Sequence, residues 1–200
     1  MDKLTPWLLP VCLLFVGLAT TARADDGPNY QVSYPEFQYG ITVSSLRELD
    51  FRNLTVFWHR TDKPEPAVQL KDGSFARRYE PGGGGDVSLD LVKVLEGGRY
   101  AVIDVMWRSC GGSCSENGLV QVFELVSGHP TVIEQIRYER HAPQTGASID
   151  GSSRILTVSG RSSEPSPNCC PRSVDVMTFQ WDGKQFVFTT SRRDALPGTP

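Results

Sequence analysis

The sequence predicts an all-β fold: an antiparallel meander of hairpins, closed as a curved sheet, a barrel, a sandwich or propeller-like blades, and stapled by disulfides. Three observations predict it. Strand-length runs rich in Val, Ile, Phe, Tyr and Trp recur through most of the chain, tight-turn dipeptides separate them, and four cysteines follow an export signal. Helix signals are sparse. With 19 Gly and 14 Pro in 200 residues, only 44–50 reads as a turn or two of helix, with Ser44 as its cap.

The first element is the signal. Lys3 gives a positive start, 7–18 is apolar and rich in Leu and Val, and Ala22-Arg23-Ala24 is a small-x-small cleavage site followed by Asp25-Asp26-Gly27-Pro28. The apolar run is shorter than the roughly 20 residues of a membrane span and is broken by Pro10. Cys12 sits mid-run behind Val11, where a lipid-attachment motif wants a small residue, so it reads as a passenger in the discarded segment. Residues 1–24 are therefore expected to be a signal peptide, 25–190 a single β domain and 191–200 a disordered tail. The expected address is the periplasm or the exterior, with no membrane span after cleavage. The chain has 20 Lys and Arg against 23 Asp and Glu, and loss of Lys3, Arg23 and Asp2 makes the mature chain more acidic by a single charge. Its basic residues are scattered, which gives no electrostatic reason to bind nucleic acid or an anionic membrane.

Within the domain the hairpins follow in order. Asp72-Gly73 separates 68–71 from 74–75, Gly97-Gly98 joins 87–95 to 99–107, and Ser127-Gly128 divides 119–126 from 131–138. Asp150-Gly151 precedes 154–158, and Asp182-Gly183 joins 174–181 to 185–189. Asp-Gly and Gly-Gly between strands favour type I′ turns, because both central residues need positive φ. In 100–107 and 121–126 apolar side chains fall on both alternating sets, the pattern of interior strands covered on two faces or of a strongly curved sheet. Three stretches, 82–85, 109–117 and 161–168, are rich in Gly, Ser or Pro and are expected to be irregular.

The mature chain keeps Cys110, Cys114, Cys169 and Cys170. An even number in an exported chain implies disulfides, with three possible connectivities. Two bridges would tie the loops together, and a bridge that closes about 60 residues contributes about 4 kcal/mol in the chain-entropy picture. The rival arrangement pairs Cys110 with Cys114 and makes a strained vicinal bridge of Cys169 and Cys170. Zinc would need a better-spaced knuckle, and redox catalysis a Cys-x-x-Cys at a helix start. No metal and no cofactor are expected.

The remaining candidates for chemistry are few. His59, His129 and His141 form no short-spaced metal pair and read as surface or turn residues. Asp104 lies in an apolar strand, where burial would demand a partner such as Arg108 or Arg99. Asp90, Asp104 and Glu124 are the carboxylates an exported hydrolase could use. Gly112-Ser113-Cys114-Ser115 is not the Gly-x-Ser-x-Gly nucleophile elbow, and 82–85 lacks the Lys-Ser or Lys-Thr of a phosphate loop. Gly111, Gly112 and Ser113 are the candidate binding loop. The aromatics Tyr30, Tyr34, Phe37, Tyr39, Phe51, Phe57 and Trp58 read as core.

Three segments together resemble a loose group of short exported bacterial proteins of unassigned function. They are Leu49-Asp50-Phe51-Arg52-Asn53-Leu54-Thr55, Leu70-Lys71-Asp72-Gly73-Ser74-Phe75, and Cys169-Cys170-Pro171 leading to Phe179-Gln180-Trp181-Asp182-Gly183-Lys184-Gln185-Phe186. The likeness spans 45–190. Members often carry an Asp-rich loop like that of calcium-binding propeller repeats, and here the matching 95–100 lacks the acidic ligands a hard cation needs. The resemblance implies a bacterial envelope protein with a degenerate propeller-repeat-like meander, and it supplies no activity. The expected function is that of a non-catalytic β domain that binds an envelope or extracellular protein or glycan through its loops. The alternatives are a carboxylate-dependent hydrolase and a small inhibitor of a secreted enzyme.

Overall fold

The computed structural model describes residues 28–56, 68–79, 83–111, 113–140, 144–162 and 172–196. The expected signal peptide lies outside the described residues, as do His59, His141, Gly112, Cys169 and Cys170. The described strands are β1 (Tyr30–Ser33), β2 (Phe37–Gln38), β3 (Thr55–Val56), β4 (Val68–Gln69), β5 (Ser74–Tyr79), β6 (Gly83–Leu95) and β7 (Tyr100–Gly111). They continue as β8 (Ser113–Val126), β9 (His129–Arg140), β10 (Gly146–Asp150), β11 (Ile155–Arg161), β12 (Ser173–Trp181) and β13 (Phe186–Ala195). The expected helical turn at 44–50 is a single 3-10 turn, Leu46–Glu48, capped by Ser45 rather than Ser44.

Among the described residues all strand pairings are antiparallel, as the hairpin signals predict. A seven-stranded sheet runs in the order β1-β9-β8-β7-β6-β5, a four-stranded sheet in the order β10-β11-β12-β13, and β3 pairs with β4 as a ribbon. β1 and β2 share the outer edge of β9, at 135–138 and 131–132 respectively. The strand order is an open path, not a closed barrel. Asp72 and Gly73 have φ of 53° and 83°, and Ser127 and Gly128 have 52° and 84°. That double positive pair preserves the right-handed strand twist through a tight turn. The Asp150-Gly151 turn differs: it spans 151–154, Arg154 takes the left-handed conformation (φ 57°), and the Asp150 carboxylate accepts from Ser152 and Ser153.

The seven-stranded sheet is the middle layer, which explains the apolar character of both faces of its central strands. On one face Ala101, Ile103, Val105, Phe123 and Val132 pack against Leu46, Phe51, Leu54 and the β3–β4 ribbon. On the other face Val102, Val120, Val122 and Ile136 pack against Leu156, Val158, Met177 and Phe179 of the four-stranded sheet. Burial of one such side chain contributes about 2 kcal/mol.

Three expectations are corrected. The stretch 109–117 is strand apart from residue 112, with Ser109 opposite Ser115 and Cys110 opposite Cys114. Gly83, Gly84 and Gly85 pair with Tyr79, Arg78 and Arg77, and continue into β7 through Gly84–Cys110 and Gly85–Ser109. Neighbouring strands impose extended geometry that glycine alone does not favour. The tail starts later than expected, because β13 runs to Ala195. Arg193 bonds the buried Asp175 at 2.7 Å, and the Leu196 N–H donates to the Arg172 carbonyl at 2.9 Å.

One glycine is fixed by close approach. Gly118 lies opposite Tyr138, and a β-carbon there would come within 2.0 Å of the phenol ring. The ring occupies that space and so reaches across the sheet. Gly118→Ala is expected to cost about 2 kcal/mol or more by overpacking, read as a lower urea midpoint with an unchanged slope.

Candidate functional site

The register sorts the connections into two ends. At one end lie the tight turns at 96–98, 127–128, 151–154 and 182–185. At the other, Tyr79 pairs with Gly83, Gly84 with Cys110, Gly111 with Ser113 and Glu116 with Arg140. The four-stranded sheet ends there as well. A β-carbon on Gly160 would come within 3.2 Å of the Glu139 carbonyl, so the end of β11 lies over the end of β9. The flanks of all three stretches singled out in the sequence therefore gather at one end, together with Cys110 and Cys114. Cys110 is half-buried in β7, and the side chain of Cys114 falls outside the described residues, as do Cys169 and Cys170. Of the candidate loop, Gly111 and Ser113 are strand-paired to each other. The stem below carries a cross-strand ion pair, Arg108 Nη2 to Glu116 Oε1 at 2.6 Å, which stiffens the hairpin.

Beneath this end is a buried polar cluster between the two sheets. Asp104 is wholly buried on the face of β7 that meets the four-stranded sheet. Its Oδ2 accepts from the Tyr138 hydroxyl at 2.8 Å and from the Ala147 N–H at 3.1 Å, and Arg140 Nη1 lies 3.7 Å away. Arg140 also pairs with Asp90 at 2.6 Å and donates to the Thr145 carbonyl at 2.8 Å. Asp90 reaches it because β6 is bulged there: Leu89 faces Val105 and Leu91 faces Asp104, which leaves Asp90 as the extra residue. Burial pushes the Asp104 carboxyl above its usual range, and the Tyr138 and Ala147 donors and the Arg140 charge offset part of that rise. Burial likewise raises the Tyr138 phenol.

Of the three sequence-predicted carboxylates, Asp90 and Asp104 thus meet through one arginine. Glu124 stands apart, bonded to Arg99 at 2.9 Å and to the Tyr100 hydroxyl at 3.1 Å. The partner of Asp104 is Arg140, not Arg108 or Arg99, because Arg108 is taken by Glu116 and Arg99 by Glu124. His129 binds the Ile41 carbonyl through Nδ1 at 3.0 Å, a turn contact as expected.

Sequence reading missed Glu134. It is wholly buried in β9, and its Oε2 accepts from the Phe186 N–H of β13 at 2.8 Å. Burial is the main cause that raises its carboxyl to about 7, and Asp182 adds to the rise. The signal that marked Asp104, an acidic residue inside an apolar strand, was equally present in Thr131-Val132-Ile133-Glu134-Gln135-Ile136.

At the turn end a cleft of about 390 Å³ opens between the sheets, lined by Lys93, Glu96, Asp150, Ser152 and Arg154 among others. Its charges are largely self-satisfied: Arg154 pairs with Glu96 at 3.0 Å, and Asp150 is saturated by its own turn. None of Asp90, Asp104 or Glu124 lines it. No group of three or more metal-ligating side chains occurs among the described residues, and no described helix is long and apolar enough to cross a membrane. Comparison with protein-family models, curated proteins and solved structures finds no match.

The Asp104 cluster gives a sharp expectation. Asp104→Ala strands the Tyr138 hydroxyl and the Ala147 N–H and should cost about 3 kcal/mol. Tyr138→Phe should cost about 1–2 kcal/mol. Because they share one interaction, the double variant should be less destabilised than the sum of the two, as measured by a denaturant double-mutant cycle.

Proposed function

We propose that this chain is an exported, non-catalytic binding protein of the cell envelope or exterior, and that it recognises a protein or glycan with the cysteine-bearing end of its layered sheets. One observation carries the reading: the register gathers the flanks of three low-regularity stretches, with Cys110 and Cys114, at one end, above a buried, hydrogen-bonded polar cluster. Connections held by a rigid scaffold are where recognition concentrates. The closed setting of Asp104 favours this over hydrolysis, since a general acid or base must come within hydrogen-bond reach of its substrate.

The proposal includes the staple. Cys110 and Cys114 would bridge to Cys169 and Cys170, tying the β7–β8 hairpin to the β11–β12 connection. That both connections leave the sheets at the same end supports it. The hairpin-local rival has its own support, because Cys110 and Cys114 are direct register partners. Non-reducing peptide mapping separates the two: the staple joins peptides about 60 residues apart in sequence, and the rival does not.

Two outcomes test the function. The exported protein should begin at Asp25, read by terminal sequencing of extracellular or periplasmic material. Residues 25–200 immobilised as bait should retain an envelope protein or a glycan that Ser109→Trp with Ser115→Trp releases, while Val187→Arg on the remote edge strand does not. Retention indifferent to the hairpin pair would remove the binding end from the account. A protease or glycosidase inhibited by the bait would identify the partner as a secreted enzyme.

A further inference from the structure

The other end of the sandwich carries a device that this reading does not use. Glu134 is placed by a bulge in β9: Val122 faces Glu134 while Phe123 faces Val132, so Ile133 is the extra residue. Its carboxyl is thereby set on the face toward the four-stranded sheet, where Oε2 takes the Phe186 N–H of edge strand β13. The second oxygen, Oε1, is buried without a hydrogen-bond partner. The groups facing it are the Asp182 carboxylate on the β12–β13 turn and, from the segment after β1, the Tyr34 phenol. Lys184 sits on the same turn and acts on Asp182. Among the described residues no cation pairs with Glu134. Beyond Phe186, β13 is exposed through most of its length, so its first residues are the part most firmly seated in the core.

We propose that Glu134 is a pH-sensitive latch: protonated, it holds the start of β13 and the β12–β13 turn against the central sheet, and ionised, it loosens them. A neutral carboxyl accepts the Phe186 N–H without placing charge in an apolar site. An ionised one is a stronger acceptor for that N–H, yet it leaves a charged oxygen unsatisfied beside a like charge. The desolvation cost of an unpaired buried charge exceeds the gain in one hydrogen bond, and moving the turn outward lets water reach Oε1.

The direction follows from linkage. The closed state holds a proton to about pH 7, whereas an exposed glutamate releases it near 4.5. Closure is therefore fully favoured below about pH 4.5, weakens as pH rises toward 7, and changes little above that. The opening equilibrium should rise on the order of fifty- to a hundredfold between pH 5 and 8.

The test is native-state hydrogen exchange of the full mature chain across pH 5–8, corrected for intrinsic rates, with the Phe186 amide and the 182–185 turn as readouts. Wild type should lose protection there as pH rises, and β7 and β8 should not. Glu134→Gln keeps the acceptor and the shape but cannot ionise, so its protection should be independent of pH. Asp182→Asn removes the facing charge and keeps the turn acceptor, so the change should persist with smaller amplitude. Flat protection in wild type, or a pH dependence that survives Glu134→Gln, overturns the latch. Neither result depends on the partner proposed for the opposite end.

Discussion

Each edge strand of the four-stranded sheet is anchored by a carboxylate from the sheet it covers. An edge strand presents N–H groups that no neighbouring strand accepts. Here the Ala147 N–H of β10 is taken by Asp104 and the Phe186 N–H of β13 by Glu134. The energy of packing lies elsewhere. Phe179, Leu156, Met177 and Ile136 are wholly buried and contribute about 2 kcal/mol apiece, against about 1 kcal/mol net for an ordinary hydrogen bond. Apolar burial, however, tolerates sliding. A buried carboxylate does not, because losing its donor leaves a charged or polar atom uncompensated. The two anchors fix where the sheets sit, and Gly118, the bulge at Asp90 and the bulge at Ile133 exist in the service of that placement.

That arrangement also divides the molecule into two ends with different characters. The Asp104 anchor is embedded with Tyr138, Arg140 and Asp90, and Arg140 extends it to the Thr145 carbonyl in the β9–β10 connection. The Glu134 anchor has one donor, one unsatisfied oxygen and a facing carboxylate. One end is rigidly tied and bears Cys110 and Cys114; the other is tied by a contact that responds to protons.

Much of this was legible in the sequence, and for physical reasons. Asp72-Gly73 and Ser127-Gly128 declared their turns because positive φ at both positions selects residue type. The two-faced apolar pattern of 100–107 declared a covered sheet, and the structure covers it on both sides. What failed was local inference where distant partners decide. Gly83, Gly84 and Gly85, and 109–111 with 113–115, have no strand propensity of their own, and pairing with β5, β7 and β8 makes them strands. The last residues of β13 looked free because Asp175, the partner of Arg193, lies 18 positions away. Asp104 was recognisable as a buried acid, but its partner Arg140 enters only through the register of β8 with β9. Glu134 was passed over although it carried the same mark.

The central claim, that carboxylates of the middle sheet satisfy otherwise open edge-strand donors, is tested most directly by amide exchange at a single acidic pH. Ala147 and Phe186 should exchange roughly a hundredfold slower than Ile149 and Phe188, the amides two positions further along the same edges, because only the first pair is held by a buried acceptor. Equal, rapid exchange at all four positions would contradict the claim and leave apolar packing as the sole tie between the sheets.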